Sequence, residues 1–414
     1  MATYFTTVIK RIYSDQVPKD FGSKPHHVLD SDGSLVKFRN THPSWDPLHD
    51  STSVFPILLK VVRLKLAGKL PSPDTSPSTV AVRKPSFLTD RPSSTKLRAT
   101  WLAHSCYFVE FPSGLRVLFD PVFEDRCSPV SWFGQKRFTK QPCTIADIPV
   151  VDAVVISHSH YDHLSTPSVN DIQKHHPNAH FFVGLGLEKW FRRAGVTKVT
   201  ELDWWEDAEL TMTPAATAVV KGEEEHAPVP GGATVPAQQH TITARFSCFP
   251  AQHSSGRTGF DKDTTLWCSW GVSSGSSPST RKSVFFGGDT GYRAVPESLS
   301  GKDDYAPEHQ SLPRCPQFAQ IGALRGHFDL GLIPIAGYKP RHIMSSVHAN
   351  PFDAVEIFRD TNCRRAMGIH WGTWASTFED VMEPPALLRE ALRRRGIPET
   401  GVFDVCDVGV SREF

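Results

Sequence analysis

The chain has 414 residues, with 45 lysine and arginine against 44 aspartate and glutamate, and a formal net charge of +1. That length suits one large catalytic domain with appendages or two modest domains, and the even charge balance leaves no global electrostatic footprint for nucleic acid. No run approaches the ~20 apolar residues that span a bilayer, and the first residues, MATYFTTVIKRIYSDQ, lack the apolar core of a secretory signal.

Residues 1–95 read as an N-terminal arm, partly disordered, whose first 50 residues are expected to matter little to activity. Within it, residues 54–70 (VFPILLKVVRLKLAGKL) are apolar and basic and predict a short helix after Pro56. Lys60, Arg63, Lys65 and Lys69 do not share one helical face, so packing on the domain and lying on a membrane surface both stay open for it. Residues 70–94 are rich in Pro, Ser and Thr and read as linker. From Leu97 the texture changes. LRATWLAH, CYFVEF, LRVLFD and DAVVISH read as short strands, followed by ARFSCFP, LWCSWGVS, SVFFGGD, FDLGLIPIA and AMGIHWG. SVNDIQKHH, LEKWFRRAG and FDAVEIFRD read as helices, so residues 96–414 predict a layered α/β domain. Residues 214–240 and 273–283, rich in small and turn-forming types, read as surface insertions in it. The eight cysteines are scattered without a C-x-x-C pair, which suits free thiols in a reducing, intracellular compartment.

The sharpest chemical signal is Ser157-His158-Ser159-His160-Tyr161-Asp162-His163, directly after the strand-like DAVVI. Zinc takes imidazole nitrogen and carboxylate oxygen. In H-x-H the imidazoles can point to one site, and the following D-H to a neighbouring one, so a single turn can feed two metals. Each metal then needs further ligands from other strand ends. His253 follows ARFSCFPAQ, Asp289 follows SVFFGG with its two turn-forming glycines, and His370 follows RRAMGI.

H-x-H-x-D-H followed by H, D and H at strand ends resembles the metallo-β-lactamase superfamily. The flanking words TWLAHSCYFVEF, VTELDWWED, FFGGDTGYR, LIPIAGYKPR, HANPFDAVEI and IHWGTWA are similar to the N-acyl-phosphatidylethanolamine-hydrolysing phospholipase D family, over roughly residues 96–414. The resemblance implies a four-layer αβ/βα sandwich and two Zn(2+) ions. It implies that His158, His160 and His253 hold the first zinc, that Asp162, His163 and His370 hold the second, and that Asp289 bridges them. It adds Asp120 as a residue orienting a ligand and His348 as a catalytic donor to the phosphate or the leaving group. Lys339 and Arg341, in GYKPR, are candidate phosphate contacts, and Trp132, beside Phe133, is a candidate lipid contact.

The implied reaction is zinc-dependent hydrolysis of a phosphodiester in N-acyl-phosphatidylethanolamine, giving an N-acylethanolamine and phosphatidic acid. Such a substrate makes a phospholipid and a membrane surface the expected partners, with peripheral membrane association inside the cell. A homodimer is compatible with the sequence. The alternative is a hydrolase of the same fold acting on a soluble substrate such as a sugar-phosphate lactone.

Overall fold

The structure is a computed structural model that describes residues 5–50, 55–68, 70, 72–76, 78–91, 94–214, 240–275, 277 and 280–414, leaving aside the side chains of 55–58. Two mixed sheets carry it. The larger has eight strands in the spatial order Phe5–Ile12, Asp207–Pro214, Ile242–Phe249, Ser269–Ser274, Lys282–Phe286, Phe328–Pro334, Cys363–Ile369 and Phe403–Asp404. The smaller has seven, in the order Ser411–Glu413, Arg98–Trp101, Tyr107–Glu110, Arg116–Phe119, Ala153–Val155, His180–Gly184 and Val199–Leu202. Each sheet is antiparallel in its first part and parallel in its second.

Side-chain alternation explains how the layers stack. Along a strand, successive residues face opposite sides of the sheet. In the smaller sheet Tyr107, Val109, Val117, Phe119, Val155 and Phe182 turn inward to a core shared with Phe246, Val272, Val284 and Phe286 of the larger one. Phe182 stacks on Phe246 with centroids 3.8 Å apart, and Phe119 meets Phe286 at 5.0 Å. The intervening Phe108, Leu118, Val154, Phe181 and Val183 turn outward. There they pack with Val169 and Ile172 of the helix Thr166–His175 and Phe191 of the helix Glu188–Arg193. On the far side, Ala354, Val355 and Phe358 of the helix Pro351–Asp360 and Leu388 of the helix Glu383–Arg394 cover the larger sheet. Helix, sheet, sheet, helix is the expected αβ/βα sandwich. Strands buried on both faces read as unbroken apolar runs, which is why DAVVI and SVFFGG were legible.

The N-terminal residues depart from the sequence reading. Phe5–Ile12 is not part of a loose arm. It is the edge strand of the larger sheet, paired antiparallel with Asp207–Pro214 over its whole length. Further on, Lys24, His26 and His27 meet Asp203, and Ser44 bonds Gln252. The boundary drawn at residue 95 therefore cuts through one packed unit. The charged and polar pattern of FTTVIKRI hid this strand, because an edge strand needs only one apolar face.

Phe55–Leu66 forms the predicted helix. Among the described residues of 70–94, only Val82 joins a strand-like bridge, to Val408. Of the two insertions, 215–239 lies outside the described residues. In 273–283, Ser273 and Ser274 pair with Ser283 and Lys282, so this stretch closes a hairpin instead of interrupting the sheet. All eight cysteines are free thiols. Among the described residues no helix is long and apolar enough to cross a membrane.

Candidate metal centre

Every expected ligand follows the C-terminal end of a strand, and the two sheets bring these ends to one edge. The turn 157–163 leaves the strand Ala153–Val155 of the smaller sheet. His253, Asp289 and His370 leave Ile242–Phe249, Lys282–Phe286 and Cys363–Ile369 of the larger. Asp120 and His104 leave Arg116–Phe119 and Arg98–Trp101.

The side chains converge in two groups. His158, His160 and His253 form one set whose ligand atoms lie within 4.8 Å of one another, and Asp162, His163 and His370, with His104, form another. Asp289 touches both. Its Oδ2 lies 3.9 Å from His158 Nε2, 3.6 Å from His253 Nε2 and 3.1 Å from His370 Nε2, and its Oδ1 lies 3.2 Å from His163 Nε2. On the second side, Asp162 Oδ2 lies 3.5 Å from His163 Nε2 and 3.6 Å from His370 Nε2. All seven residues expected as ligands are thus brought together, with Asp289 between the groups.

Unmade bonds argue that this set is built for cations. His163 Nε2, His370 Nε2 and Asp289 Oδ1 are buried without a hydrogen-bond partner, although buried polar atoms are ordinarily paired. An imidazole and carboxylate donor set of this kind fits zinc. The outer ring nitrogens are, by contrast, well held. His163 Nδ1 meets Asp120 Oδ2 at 2.6 Å, His253 Nδ1 meets the Val347 carbonyl at 2.8 Å, and His158 Nδ1 meets Ser157 Oγ at 2.9 Å. Asp120 also accepts from the Ser157 N–H at 2.7 Å and from its hydroxyl at 2.5 Å. Such outer contacts fix the tautomer and aim of a ligating imidazole.

Electrostatics tell the same story. Burial drives His158 and His253 well below the usual imidazole range; neighbouring imidazoles add to this at His158, whereas Asp289 opposes it at His253. Burial acts alike on His163, yet Asp289, Asp162 and the Asp120 hydrogen bond outweigh it and hold that ring well above the range. His370 is lifted to about 9, burial being overcome by Asp289 and Asp162. The carboxylates demand positive charge at this point. A bound cation would supply it and leave the ring nitrogens free to act as ligands.

His348 sits at the rim. Its Nδ1 is 3.8 Å from Asp289 Oδ2, and its ring lies 5.0 Å from both His253 and His370. Trp132 and Phe133 are 78% and 68% exposed, outside the cluster. Arg341 departs from the expectation of a phosphate contact: its guanidinium bonds Asp353 at 2.8 Å and Asp304 at 2.7 Å, tying the first turn of the helix Pro351–Asp360 to the loop at Asp304. Lys339 is likewise paired with Glu383 at 2.6 Å. A GYKPR word looks cationic in sequence, but its carboxylate partners lie far along the chain.

Two features escaped the sequence reading. His104 belongs to the second group, and its signal was available, since it too is a histidine just past a strand. Asp203, in LDWWE, collects Lys24, His26 and His27. No local pattern announces that contact across about 180 residues.

A beta-lactamase superfamily domain model matches residues 115–371. The chain is 34% identical over 323 residues to N-acyl-phosphatidylethanolamine-hydrolyzing phospholipase D 1 of Caenorhabditis elegans, covering 77% of this chain and 76% of that one. It is 28% identical over 286 residues to a Saccharomyces cerevisiae protein described as N-acyl-phosphatidylethanolamine-hydrolyzing phospholipase D, mitochondrial, covering 69% of this chain and 49% of that one. Among solved structures, Igni18, a metallo hydrolase of the archaeon Ignicoccus hospitalis, is 16% identical with a TM-score of 0.46, covering 77% of this chain and 98% of that one.

Proposed function

The chain belongs to the N-acyl-phosphatidylethanolamine-hydrolysing phospholipase D family of the metallo-β-lactamase superfamily and is a metal-dependent hydrolase, and on that premise we propose that it is a zinc-dependent phospholipase D. Its substrate is N-acyl-phosphatidylethanolamine, and its products are an N-acylethanolamine and phosphatidic acid. The observation that carries this reading is the gathering of six imidazole and carboxylate side chains in two groups on either side of Asp289, in a chain 34% identical to the worm enzyme.

Two zinc ions, when bound, lower the pKa of water towards neutrality and neutralise charge growing on phosphoryl oxygens. The protein's part is to place them. His158, His160 and His253 would hold the first and Asp162, His163 and His370 the second, with Asp289 placed between the two groups. Asp120 fixes the aim of His163 and, through Ser157, the start of the ligand-bearing turn. His348, whose Nδ1 lies 3.8 Å from Asp289 Oδ2, donates to a phosphoryl oxygen or to the departing ethanolamine oxygen.

A diacyl substrate does not leave its bilayer cheaply, at ~0.8 kcal/mol per exposed methylene, so the protein works at a membrane surface. Leu59, Val62 and Leu66 are 38%, 43% and 83% exposed on the helix Phe55–Leu66. Their spacing puts them on one face, with Arg63 among them, so the apolar residues rather than the basic ones define that face. Trp132 and Phe133 add a second exposed apolar point.

The test is mass spectrometry of lipids after incubating purified protein with mixed phospholipid vesicles containing N-acyl-phosphatidylethanolamine. Phosphatidic acid and N-acylethanolamine should appear together, and a chelator should stop both. Hydrolysis of a soluble sugar-phosphate lactone with vesicle lipids untouched would sink the lipid reading and favour the soluble-substrate alternative.

A further inference from the structure

Four of the five ligand histidines, all but His160, follow a pattern that His104 breaks. His158, His163, His253 and His370 each turn one ring nitrogen to the centre and rest the other against an oxygen, from Ser157, Asp120, Val347 and Ala336 respectively. His104 is 6% exposed and its Nε2 lies 3.1 Å from Asp162 Oδ2, but its buried Nδ1 has no partner. It therefore lacks the outer contact that orients a ligating imidazole. What it has is one good hydrogen bond to a ligand.

From this geometry we infer that His104 is a positioning residue for the second cation, donating from Nε2 to Asp162 Oδ2 and holding that carboxylate against His163 and His370 without itself being a ligand. The inference rests on the two-cation reading above. Asp162 needs such help. Its side chain is 23% exposed, against 2% for Asp289, and the contact with His104 is its shortest, compared with 3.5 and 3.6 Å to His163 and His370.

The surroundings of His104 are built to hold it. Ala103 and His104 have φ of 92° and 51°, a left-handed backbone that residues with a β-carbon rarely adopt and that persists only where neighbours enforce it. They do so here. The His104 N–H donates to Thr373 Oγ1 at 2.7 Å, and its carbonyl accepts from Trp101 Nε1 at 2.8 Å and from the His370 N–H at 3.1 Å. The ring is packed between His370, with centroids 4.3 Å apart, and Trp374, at 4.9 Å. One short segment thus sets both His370 and Asp162.

Two amides separate the donor from the imidazole. The glutamine of His104→Gln can present an N–H near the place of Nε2, whereas the asparagine of His104→Asn reaches only as far as Nδ1. Zinc stoichiometry, measured after dialysis against limiting metal, and zinc affinity, measured by competition with a chromophoric chelator, need no substrate. Wild type should hold two zinc ions. His104→Gln should keep both within a few-fold, and His104→Asn should weaken the weaker site ~10–100-fold, the usual cost of losing an outer contact. Circular dichroism reports folding. If the short amide disturbs it, His104→Phe keeps the packing, lacks the donor and should show the same loss. Unchanged affinities in His104→Asn and His104→Phe would overturn the inference in favour of mere packing. Equal loss in the glutamine and asparagine variants would overturn it in favour of direct ligation. A wild type that binds no zinc would instead strike the two-cation reading itself.

Discussion

Replacing Asp203 with asparagine tests whether residues 24–27 are held as part of the domain. The Asp203 side chain is 1% exposed and receives Lys24 Nζ at 2.7 Å, His26 Nε2 at 2.8 Å and His27 Nε2 at 2.9 Å. Burial alone would raise the pKa of this carboxylate, but the His26 and Lys24 contacts outweigh it and hold it well below the usual range. Asparagine keeps the shape and one acceptor oxygen but loses the charge. A hydrogen bond to a charged group contributes ~1.5–3 kcal/mol, and breaking a buried ion pair costs ~3–5 kcal/mol. Lys24 is about one-third exposed and keeps Glu206 at 3.5 Å, which reduces its share. The expected loss is ~2–4 kcal/mol, large against a total stability of ~5–15 kcal/mol. Because the folded pKa is depressed, the stabilisation is present above the unfolded value near ~3.9 and disappears as pH falls through the folded one. Wild type and Asp203→Asn should therefore differ most in urea unfolding near neutral pH, and the difference should begin to shrink only below pH ~4, as the unfolded carboxylate protonates. Amide exchange at residues 24–29 should speed up in the variant. Equal unfolding midpoints at neutral pH, or unchanged exchange in that segment, would refute the reasoning.

Asp120→Asn removes the carboxylate behind His163 and should weaken zinc binding ~10–100-fold in the chelator competition, with hydrolysis falling in parallel; full metal content would contradict the role given to Asp120. Deleting residues 5–50 strips an edge strand and the Asn40 contact to the His253 carbonyl, 2.7 Å long, so it should cost zinc as well as stability, which metal analysis of the truncated protein reads. Burial, with Lys198 and Arg192, lowers His180 to about 4. The unfolded chain then binds the extra proton between pH ~6.5 and ~4, so wild type should lose up to ~3 kcal/mol more than His180→Gln over that window, as urea melts at several pH values would show. Changing Leu59, Val62 and Leu66 together to serine should weaken flotation with anionic vesicles and raise the apparent KM for vesicle substrate while sparing a short-chain soluble phosphodiester; equal effects on both substrates would remove that helix from the membrane-docking reading.

The site was more legible than the frame around it, and the reason is physical. Metal ligation restricts residue type severely, so four candidate ligands within six residues stand out, and strand ends supply the remainder at positions that hydrophobic runs mark. His104 was missed because a lone histidine past a strand has no local companion; its partners, Asp162 and His370, meet it only through the sandwich. Arg341 was misread for the converse reason. Its charge is visible in sequence, but the carboxylates of Asp304 and Asp353 that occupy it depend on tertiary contact. Phe5–Ile12 failed as a strand in sequence because an edge strand, half exposed, does not need the continuous apolar run that marked the buried ones.

The backbone around the centre shows how this edge is kept rigid. Asp120, His104 and His370 have φ of 38°, 51° and 63°, and Ala103 has 92°. Each such residue costs of order 1–3 kcal/mol, and together they sit where loops leave the ends of three strands. Glycine relieves two close approaches at the centre. A β-carbon at Gly288, just before Asp289, would lie 2.6 Å from Ser157 Cβ, and one at Gly337 would lie 3.0 Å from His348 Nδ1 and 3.3 Å from His370 Cε1. The core beneath supplies the restraint: Trp101 stacks on Trp371 at 5.0 Å, fixing the strand ends before His104 and after His370 relative to each other. Strain held by a stiff double sheet positions ligands that a relaxed loop would let drift. Three separate chain segments, at 158–163, 253 and 370, then face Asp289 from both sides.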